Sequence, residues 1–369
     1  MYYFDYCATT PTNPKVLEYF MNINKSFWAN PNSKYKFAKD TAGIIDETTK
    51  LILNRLDLSD YEVIYTSGAT EANNLALKGY CLANSDKGKH IITSPYEHSS
   101  IVATLNYLQK NGFEVSSIDT LPDGSLDLNS LQQLIREDTI LVTITATNSE
   151  VGILSDIDAI SDIVKQHSNC HYHVDYTQLL GKMKKDLNKA DMISFSGHKI
   201  YGIKGIGALI KKHDVKLIPT INGGKSTTIY RAGTPPTELI GSLGKAIDLI
   251  YEDIDNNTQD ITKKSEYLKN KIRLYDGRIY INSNEKCLPS IINISIPGNN
   301  ANDLQKKLEA SNIYVSTQTA CSLNNDYSAT ILKLTNDMSR AESSLRISIS
   351  PLTTYEEIDY LIEKIGELL

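Results

Sequence analysis

An α/β fold, built on a mostly parallel sheet with helices on both faces, is the class this sequence predicts. Three observations carry it. Strand-like and helix-like patterns alternate from about residue 15 to residue 250. The strand-like runs are short and largely apolar, as strands buried on both faces are. The polar residues capable of chemistry gather where those runs end, which is where ligands sit in such sheets.

The elements follow in order. "YEVIYTS" (61–67) is dense in β-branched and aromatic residues and reads as a strand. "TEANNLALKGYCLA" (70–83) carries apolar residues at helical spacing. "KHIITSP" (89–95) is a strand closed by a proline, and "SIVATLNYLQKNG" (100–112) a helix that stops at a glycine. "TILVTITA" (139–146) is a third strand, followed by a helix over "DIDAISDIVKQH" (156–167). "CHYHVDY" (170–176) and "DMISFS" (191–196) complete the series. Past residue 250 the pattern changes to that of a smaller α+β region. It has a long helix or helix pair over 247–275, a strand in "SIINISIPG" and a helix in "ANDLQKKLEAS". A strand in "SSLRISISP" and a closing helix in "TYEEIDYLIEKIGELL" follow. No internal repeat or low-complexity linker interrupts the chain.

With 369 residues, 41% hydrophobic and 22% charged, the chain is long enough for a large core and two domains. A net charge of −6 does not suit a general binder of nucleic acid or membranes. No apolar run approaches the roughly 20 residues that span a bilayer. "MYYFDYCATTPTNP" lacks a basic segment followed by an apolar one, so no signal peptide is expected and the location defaults to the cytoplasm. The five cysteines are scattered and form no C-x-x-C pair, which argues against a disulfide framework or a zinc knuckle.

The chemistry-bearing residues start with Lys199, at the end of a strand in "SFSGHKIYGIKGIGAL". Glycines around it allow a backbone to approach a ligand closely. A desolvated lysine is a nucleophile that forms Schiff bases, the task of a lysine holding pyridoxal 5'-phosphate (PLP). "TSGATEANNLAL" (66–77) places Gly68-Ala69-Thr70 at a helix start, where free N–H groups and the Thr70 hydroxyl suit a phosphate. Ser196 and His198 lie within reach of the same phosphate. Asp175 ends a strand and suits a pyridinium nitrogen, while Gln178 and Ser149 are polar candidates for the ring's phenolic oxygen. His98, after another strand end, suits stacking and proton transfer. Cys321 lies in "STQTACSLNNDYSAT", a polar stretch with no helical or strand period, as an accessible thiol would. Cys7, Cys81, Cys170 and Cys287 read as ordinary buried residues.

These motifs resemble, in order and over nearly the whole chain, the NifS/IscS-type cysteine desulfurases of the class V aminotransferase group. They are "YFDYCATTPTNP", "ANPNS", "TSGATEANNLALKG", "HIITSPYEH", "HVDYTQ", "SFSGHKIYGIKGIGAL", "RAGTPP", "TACS" and "SLRIS". The resemblance implies a fold type I PLP-dependent transferase. Its large domain (12–252) would hold a mostly parallel seven-stranded sheet, and its small α+β domain would comprise 1–11 with 253–369. It implies Lys199 as the Schiff-base lysine, Asp175 as the pyridine partner and His98 as the stacking acid–base. Ala69, Thr70, Ser196 and His198 would hold the phosphate, with Thr234 supplied by the second subunit of a homodimer. Gln178 and Ser149 would serve the ring, Asn30 and Arg346 the carboxylate of L-cysteine, and Cys321 would accept the sulfur. Implied partners are a protein acceptor, either an iron–sulfur scaffold or a tRNA-thiolation enzyme, with no membrane and no direct contact with nucleic acid.

Three departures from the family pattern bear on rate and partner choice. Ser149 stands where an asparagine is common, with Asn148 as the neighbour to compensate. Residues 224–228 replace a G-G-Q-E-R stretch, and Gln318 replaces a glycine before the thiol. Rival readings remain. His171, His173 and Asp175 share one strand face, as in H-x-H-x-D metal hydrolases. The remaining rivals are a PLP-binding scaffold without catalysis, selenocysteine lysis and a different class V reaction such as transamination.

Overall fold

The apolar runs become the strands of one central sheet in the computed structural model, which describes residues 1–317 and 327–369. Along the chain the strands are β1 (Tyr2–Tyr3), β2 (Tyr61–Thr66), β3 (His90–Thr93) and β4 (Glu114–Ser117). Next come β5 (Thr139–Thr145), β6 (His171–Asp175), β7 (Met192–Ser196) and β8 (Gly207–Lys212). The last four are β9 (Tyr280–Ile281), β10 (Ile291–Ser295), β11 (Ile313–Tyr314) and β12 (Ser344–Ser348). The central sheet has seven strands in the order β2-β8-β7-β6-β5-β3-β4, and β8 alone runs against the other six.

This is the mostly parallel α/β sheet that the alternating patterns predict, with the seven strands that the family resemblance implies. β5 and β7 are buried along their whole length, and each crossover carries a helix. The patterns did not reveal β4 or β8. β4 ("EVSS") is short and half exposed at the sheet edge, and β8 ("GALIKK") ends in charge behind a glycine-rich turn. The helix expected over 70–83 opens at Ala69, widens into a π turn at Leu75–Gly79 and closes over Tyr80–Ala83. The long element near residue 250 is a helix pair, Thr237–Glu252 and Ile254–Arg273, broken at Asp253.

Helices Pro14–Ser26 and Lys36–Arg55 pack on Thr237–Glu252 at glycines. A Cβ on Gly241 would lie 2.3 Å from Ile23 Cδ1, and one on Gly244 would lie 2.6 Å from Thr48 Cγ2. The three helices can approach this closely only because those positions carry no side chain.

Beyond residue 273 a three-stranded antiparallel sheet, β12-β10-β9, packs with helices Ala301–Ala310 and Tyr355–Gly366. β1 pairs in parallel with β11, so Phe4 joins Ile261, Leu268, Leu345 and Ile358 in a second apolar core. The main core reaches into this region through Leu288, Ile291 and Ile331. Among the described residues no helix is long and apolar enough to cross a membrane.

Candidate active site

The carboxyl ends of β2, β5, β6 and β7 lie at one edge of the sheet, beside the start of the antiparallel β8. A cleft of about 620 Å³ opens there. Its wall includes Gly68, Ala69 and Thr70 after β2, His98 after β3, and Ser149 after β5. Asp175 and Gln178 at β6, Ser196, His198 and Lys199 at β7, and Arg346 from β12 complete the set. These residues span the chain from 68 to 346: the parallel topology of the central sheet brings together all but Arg346, which the antiparallel β12-β10-β9 sheet supplies.

The residues read from the sequence as a phosphate cradle, Ala69, Thr70, Ser196 and His198, line the same cleft. Gly68 lies directly over Ser196, whose Oγ would be 3.5 Å from a Cβ at that position. Gly207 permits this approach, since a Cβ there would meet Phe195 O at 2.5 Å and Gly68 Cα at 2.7 Å. Gly68, Ala69, Thr70 and Ser196 line the cleft together with Lys204, which adds a cation. Glu71 anchors this loop by accepting from Ser67 N at 2.7 Å and from Arg231 Nε at 3.0 Å. Burial, helped by Lys199 and Lys204, lowers the His198 pKa to about 4, so the imidazole is neutral. Its Nδ1 lies 3.1 Å from Thr9 Oγ1.

Lys199 stands in a single 3-10 turn, Gly197–Lys199. Two residues on, Tyr201 adopts the left-handed region at φ 62°, where a bulky residue is strained. Thr10 pins it there by accepting from Tyr201 N at 2.8 Å. The amine donates to the carbonyls of Cys7 and Ala8, the latter at 2.8 Å. Burial lowers the Lys199 pKa to about 8; Lys182 and Arg346 add to the effect, and Cys7 and Asp5 oppose it. A lysine so tuned is available as a nucleophile near neutral pH.

Asp175 accepts from Asn73 Nδ2 at 2.8 Å and from Thr177 N at 3.0 Å. His98 caps helix Ser99–Lys110, its Nδ1 accepting from Ser100 N at 3.2 Å, so the neutral ring carries its proton on Nε2. Burial lowers its pKa, Lys199 acts in the same direction, and Asp175 acts against it. Gln178 is held at both ends of its amide. Nε2 donates to Cys7 O at 3.0 Å and Oε1 accepts from Lys182 Nζ at 3.0 Å.

Arg346 is buried in β12, with Nη2 on Asp5 Oδ1 at 2.7 Å and Nη1 on Ser149 O at 2.9 Å. Its Nε has no hydrogen-bond partner among the described residues.

Other expected residues fall differently. Asn148 does not compensate for Ser149. Its Oδ1 accepts from Glu150 N and Val151 N at 3.0 and 2.8 Å, which commits it to a turn. Asn30 is exposed, accepts from Asn32 N at 3.0 Å and does not line the cleft. Thr234 is exposed and lies outside its own chain's cleft. Cys321 and Gln318 lie outside the described residues. The metal-hydrolase reading finds no centre. His173 meets Thr143 and Ser194, His171 Nδ1 meets Tyr80 OH at 2.8 Å, and no metal-binding group forms among the described residues.

Sequence reasoning missed Asn73, Lys182 and the part that Cys7–Thr9 play in the wall. Cys7 is buried and free, as read, but its carbonyl holds Lys199 and Gln178. No local signal marks a backbone carbonyl as part of a site. Asn73 and Lys182 could have been noticed as polar residues set among apolar ones.

The mostly parallel seven-stranded sheet, with a polar cleft at its carboxyl edge, defines an α/β enzyme of the PLP-dependent class. The chain belongs to the class-V aminotransferase family, whose model matches residues 2–361. It is similar to cysteine desulfurase IscS of Proteus mirabilis, 38% identical over 98% of this chain and 91% of that one. The IscS of Dictyoglomus turgidum is 32% identical over 100% and 94%. Among solved structures, a NifS-like protein superposes with a TM-score of 0.92 at 29% identity, covering 99% of this chain and 98% of that one. A NifS-like protein from Rickettsia africae gives 0.90 at 29% identity, over 100% and 99%. A structure of SspA in complex with cysteine gives 0.82 at 28% identity, over 96% and 100%. The fold is that of type I PLP enzymes, and the family is PLP-dependent.

The residues present fit PLP. The cleft wall offers backbone N–H groups after Gly68, the hydroxyls of Thr70 and Ser196 and Lys204 to an anion, the Asp175 carboxylate to a protonated ring nitrogen, and the Lys199 amine to a carbonyl carbon.

Proposed function

We propose that this chain is a PLP-dependent cysteine desulfurase that takes sulfur from L-cysteine, leaves alanine and passes the sulfur on from Cys321. The observation that carries the reading is the meeting of Lys199, Asp175, His98 and the 68–70 loop in one cleft, in a chain related along its length to IscS proteins. Bound there, PLP supplies an electrophilic carbon for an amino group and a ring that takes up electrons from the substrate's Cα.

The chain's own residues do the rest. Ala69, Thr70, Ser196 and His198 would hold the phosphate, and Asp175 would pair with the protonated ring nitrogen. Gln178, with one hydrogen of Nε2 committed to Cys7 O, would have the second free for the phenolic oxygen. Ser149, which lines the cleft, would serve the ring with its hydroxyl. Lys199 Nζ and His98 Nε2 move protons at the substrate's carbon and sulfur. Arg346, with two of its five N–H groups engaged, keeps donors for the substrate carboxylate.

Asn30 assists Arg346, and Thr234 completes the phosphate site of the second subunit of a homodimer. At Cys321 an S–S bond forms to the substrate sulfur as its C–S bond breaks. The electrons stay with the three-carbon fragment, which is protonated to alanine. The persulfide then passes to a protein acceptor, an iron–sulfur scaffold or a tRNA-thiolation enzyme, in the cytoplasm, where thiols stay reduced.

The test is alanine and sulfide release from L-cysteine with a thiol reductant present. Cys321→Ala is expected to abolish persulfide formation while the protein stays yellow. Retained turnover in that variant removes Cys321 from its role, and a colourless wild type removes the enzyme reading. Comparing L-selenocysteine with L-cysteine separates selenocysteine lysis, and formation of 3-mercaptopyruvate from L-cysteine with a 2-oxo acid as amino acceptor separates a transaminase.

A further inference from the structure

The H-x-H-x-D strand, whose side chains form no metal-binding group among the described residues, does other work. Asp175 accepts hydrogen bonds only, so the Asn73 atom facing it at 2.8 Å is the amide nitrogen. The second hydrogen of that nitrogen goes to Ser100 Oγ at 2.9 Å. Asn73 Oδ1 therefore receives the Ser194 hydroxyl proton. Having donated its one hydrogen, Ser194 Oγ accepts from His173 Nε2 at 3.1 Å. The His173 ring is then neutral with Nδ1 open, and Nδ1 accepts from Thr143 Oγ1 at 2.8 Å. At the other end Ser100 Oγ–H points to His98 Nδ1 at 2.9 Å, since that nitrogen is already an acceptor.

The result is one directional chain. It runs from Thr143 through His173 and Ser194 to Asn73, where it forks to Asp175 and, through Ser100, to His98. Every member before the fork is fully buried in the sheet or under helix Ala69–Asn74, so no water competes for these groups. Burial holds the His173 pKa at about 4, which keeps the imidazole neutral as the chain requires. Parallel register sets the ladder: Thr143 pairs with His173, and Asp175 with Ser194.

We propose that Asn73 is a positioning residue for the desulfurase reaction, orienting the Asp175 carboxylate and the His98 imidazole together, with Ser194 and His173 fixing which way its amide faces. The inference rests on the desulfurase reading of the cleft. Asn73, Ser194 and His173 do not line that cleft, so their influence on a bound cofactor travels through the chain. The N–H that Asn73 donates to Asp175 holds the carboxylate in place. The Ser100 donor keeps the His98 proton on Nε2. The other charged or titratable groups that act here stay unchanged in the test: Cys7, Lys182, Arg346 and Asp5 on Lys199, and Glu97 against Asp175.

The experiment uses PLP-loaded enzyme and two variants, Asn73→Asp and Ser194→Ala. The visible band of the Lys199-bound cofactor is titrated against pH, and kcat and KM for L-cysteine are measured separately. Asn73→Asp keeps the shape, removes the donor and adds an acid. It is expected to raise the pH midpoint of the band by about half a unit or more. It is also expected to lower kcat about tenfold or more, as loss of a partner behind a reacting group does, with KM changed much less. Ser194→Ala frees Asn73 to turn and is expected to lower kcat in the same way by a smaller factor, with Ser194→Thr restoring it. Unchanged midpoint and kcat within about twofold in Asn73→Asp overturn the proposal. If that variant does not fold, unchanged kcat in Ser194→Ala overturns it equally. The wild type is read first. A wild type that yields no alanine from L-cysteine sinks the desulfurase reading, while the band titration still reports whether Asn73 governs the cofactor.

Discussion

Burial sets the behaviour of Lys199, and Lys182 and Arg346 reinforce it, so its amine loses its proton near pH 8 rather than at the usual lysine value. Only the neutral amine has a lone pair for a carbonyl carbon. Cofactor-free protein is therefore expected to take up PLP at a rate that rises with pH and levels off above about 8, followed as growth of the visible band. A midpoint still at the ordinary lysine value of about 10.4 contradicts this account. Lys182→Met removes one opposing cation and the anchor of Gln178 Oε1. The uptake curve is expected to move to higher pH in that variant, which a pure packing role for Lys182 does not produce.

At the scale of elements, the cleft exists because β8 enters between β2 and β7 at a glycine. Gly207→Ala sets a methyl group against Phe195 O and Gly68 Cα, neither of which can swing aside. It is expected to cost about 1–3 kcal/mol in denaturant unfolding. PLP is expected to bind more weakly as well, because the 67–70 loop is displaced. Gly298→Ala is the control. It lies at φ 85° with nothing within 4 Å of its Cβ, so strain of about 1 kcal/mol is expected without any change in PLP affinity. Equal PLP affinity in the Gly207 variant and the wild type would show that the loop is not held by this contact.

The whole molecule closes the site from both ends of the chain. Residues 7–9 and Arg346 complete a wall whose floor is the carboxyl edge of the central sheet. Asp5 ties the two ends together through Arg346. The proposed role of Thr234 in a second subunit makes assembly part of function. Sedimentation is expected to give twice the chain mass of 41.1 kDa, with Thr234→Ala weakening PLP retention at the same mass. A species of one chain that holds PLP through dialysis rules out the shared site.

By itself the sequence determined the alternating strands and helices, because periodicity and β-branched runs are local properties of the chain. It also determined the order of strand-end residues, from Thr70 and His98 through Asp175 to Lys199, since a parallel sheet delivers every carboxyl end to one edge. Tertiary structure alone decided what hydrogen-bonds to what. Whether His173 binds a metal or roots a chain to Asn73 depends on the register of β5, β6 and β7 and on the helix laid across them. Whether Asn148 faces the cleft or its own turn, and that Cys7 acts through its carbonyl, depend likewise on neighbours far along the chain. A hydrogen-bond partner is a property of two positions brought together by folding, so one position's residue type cannot specify it.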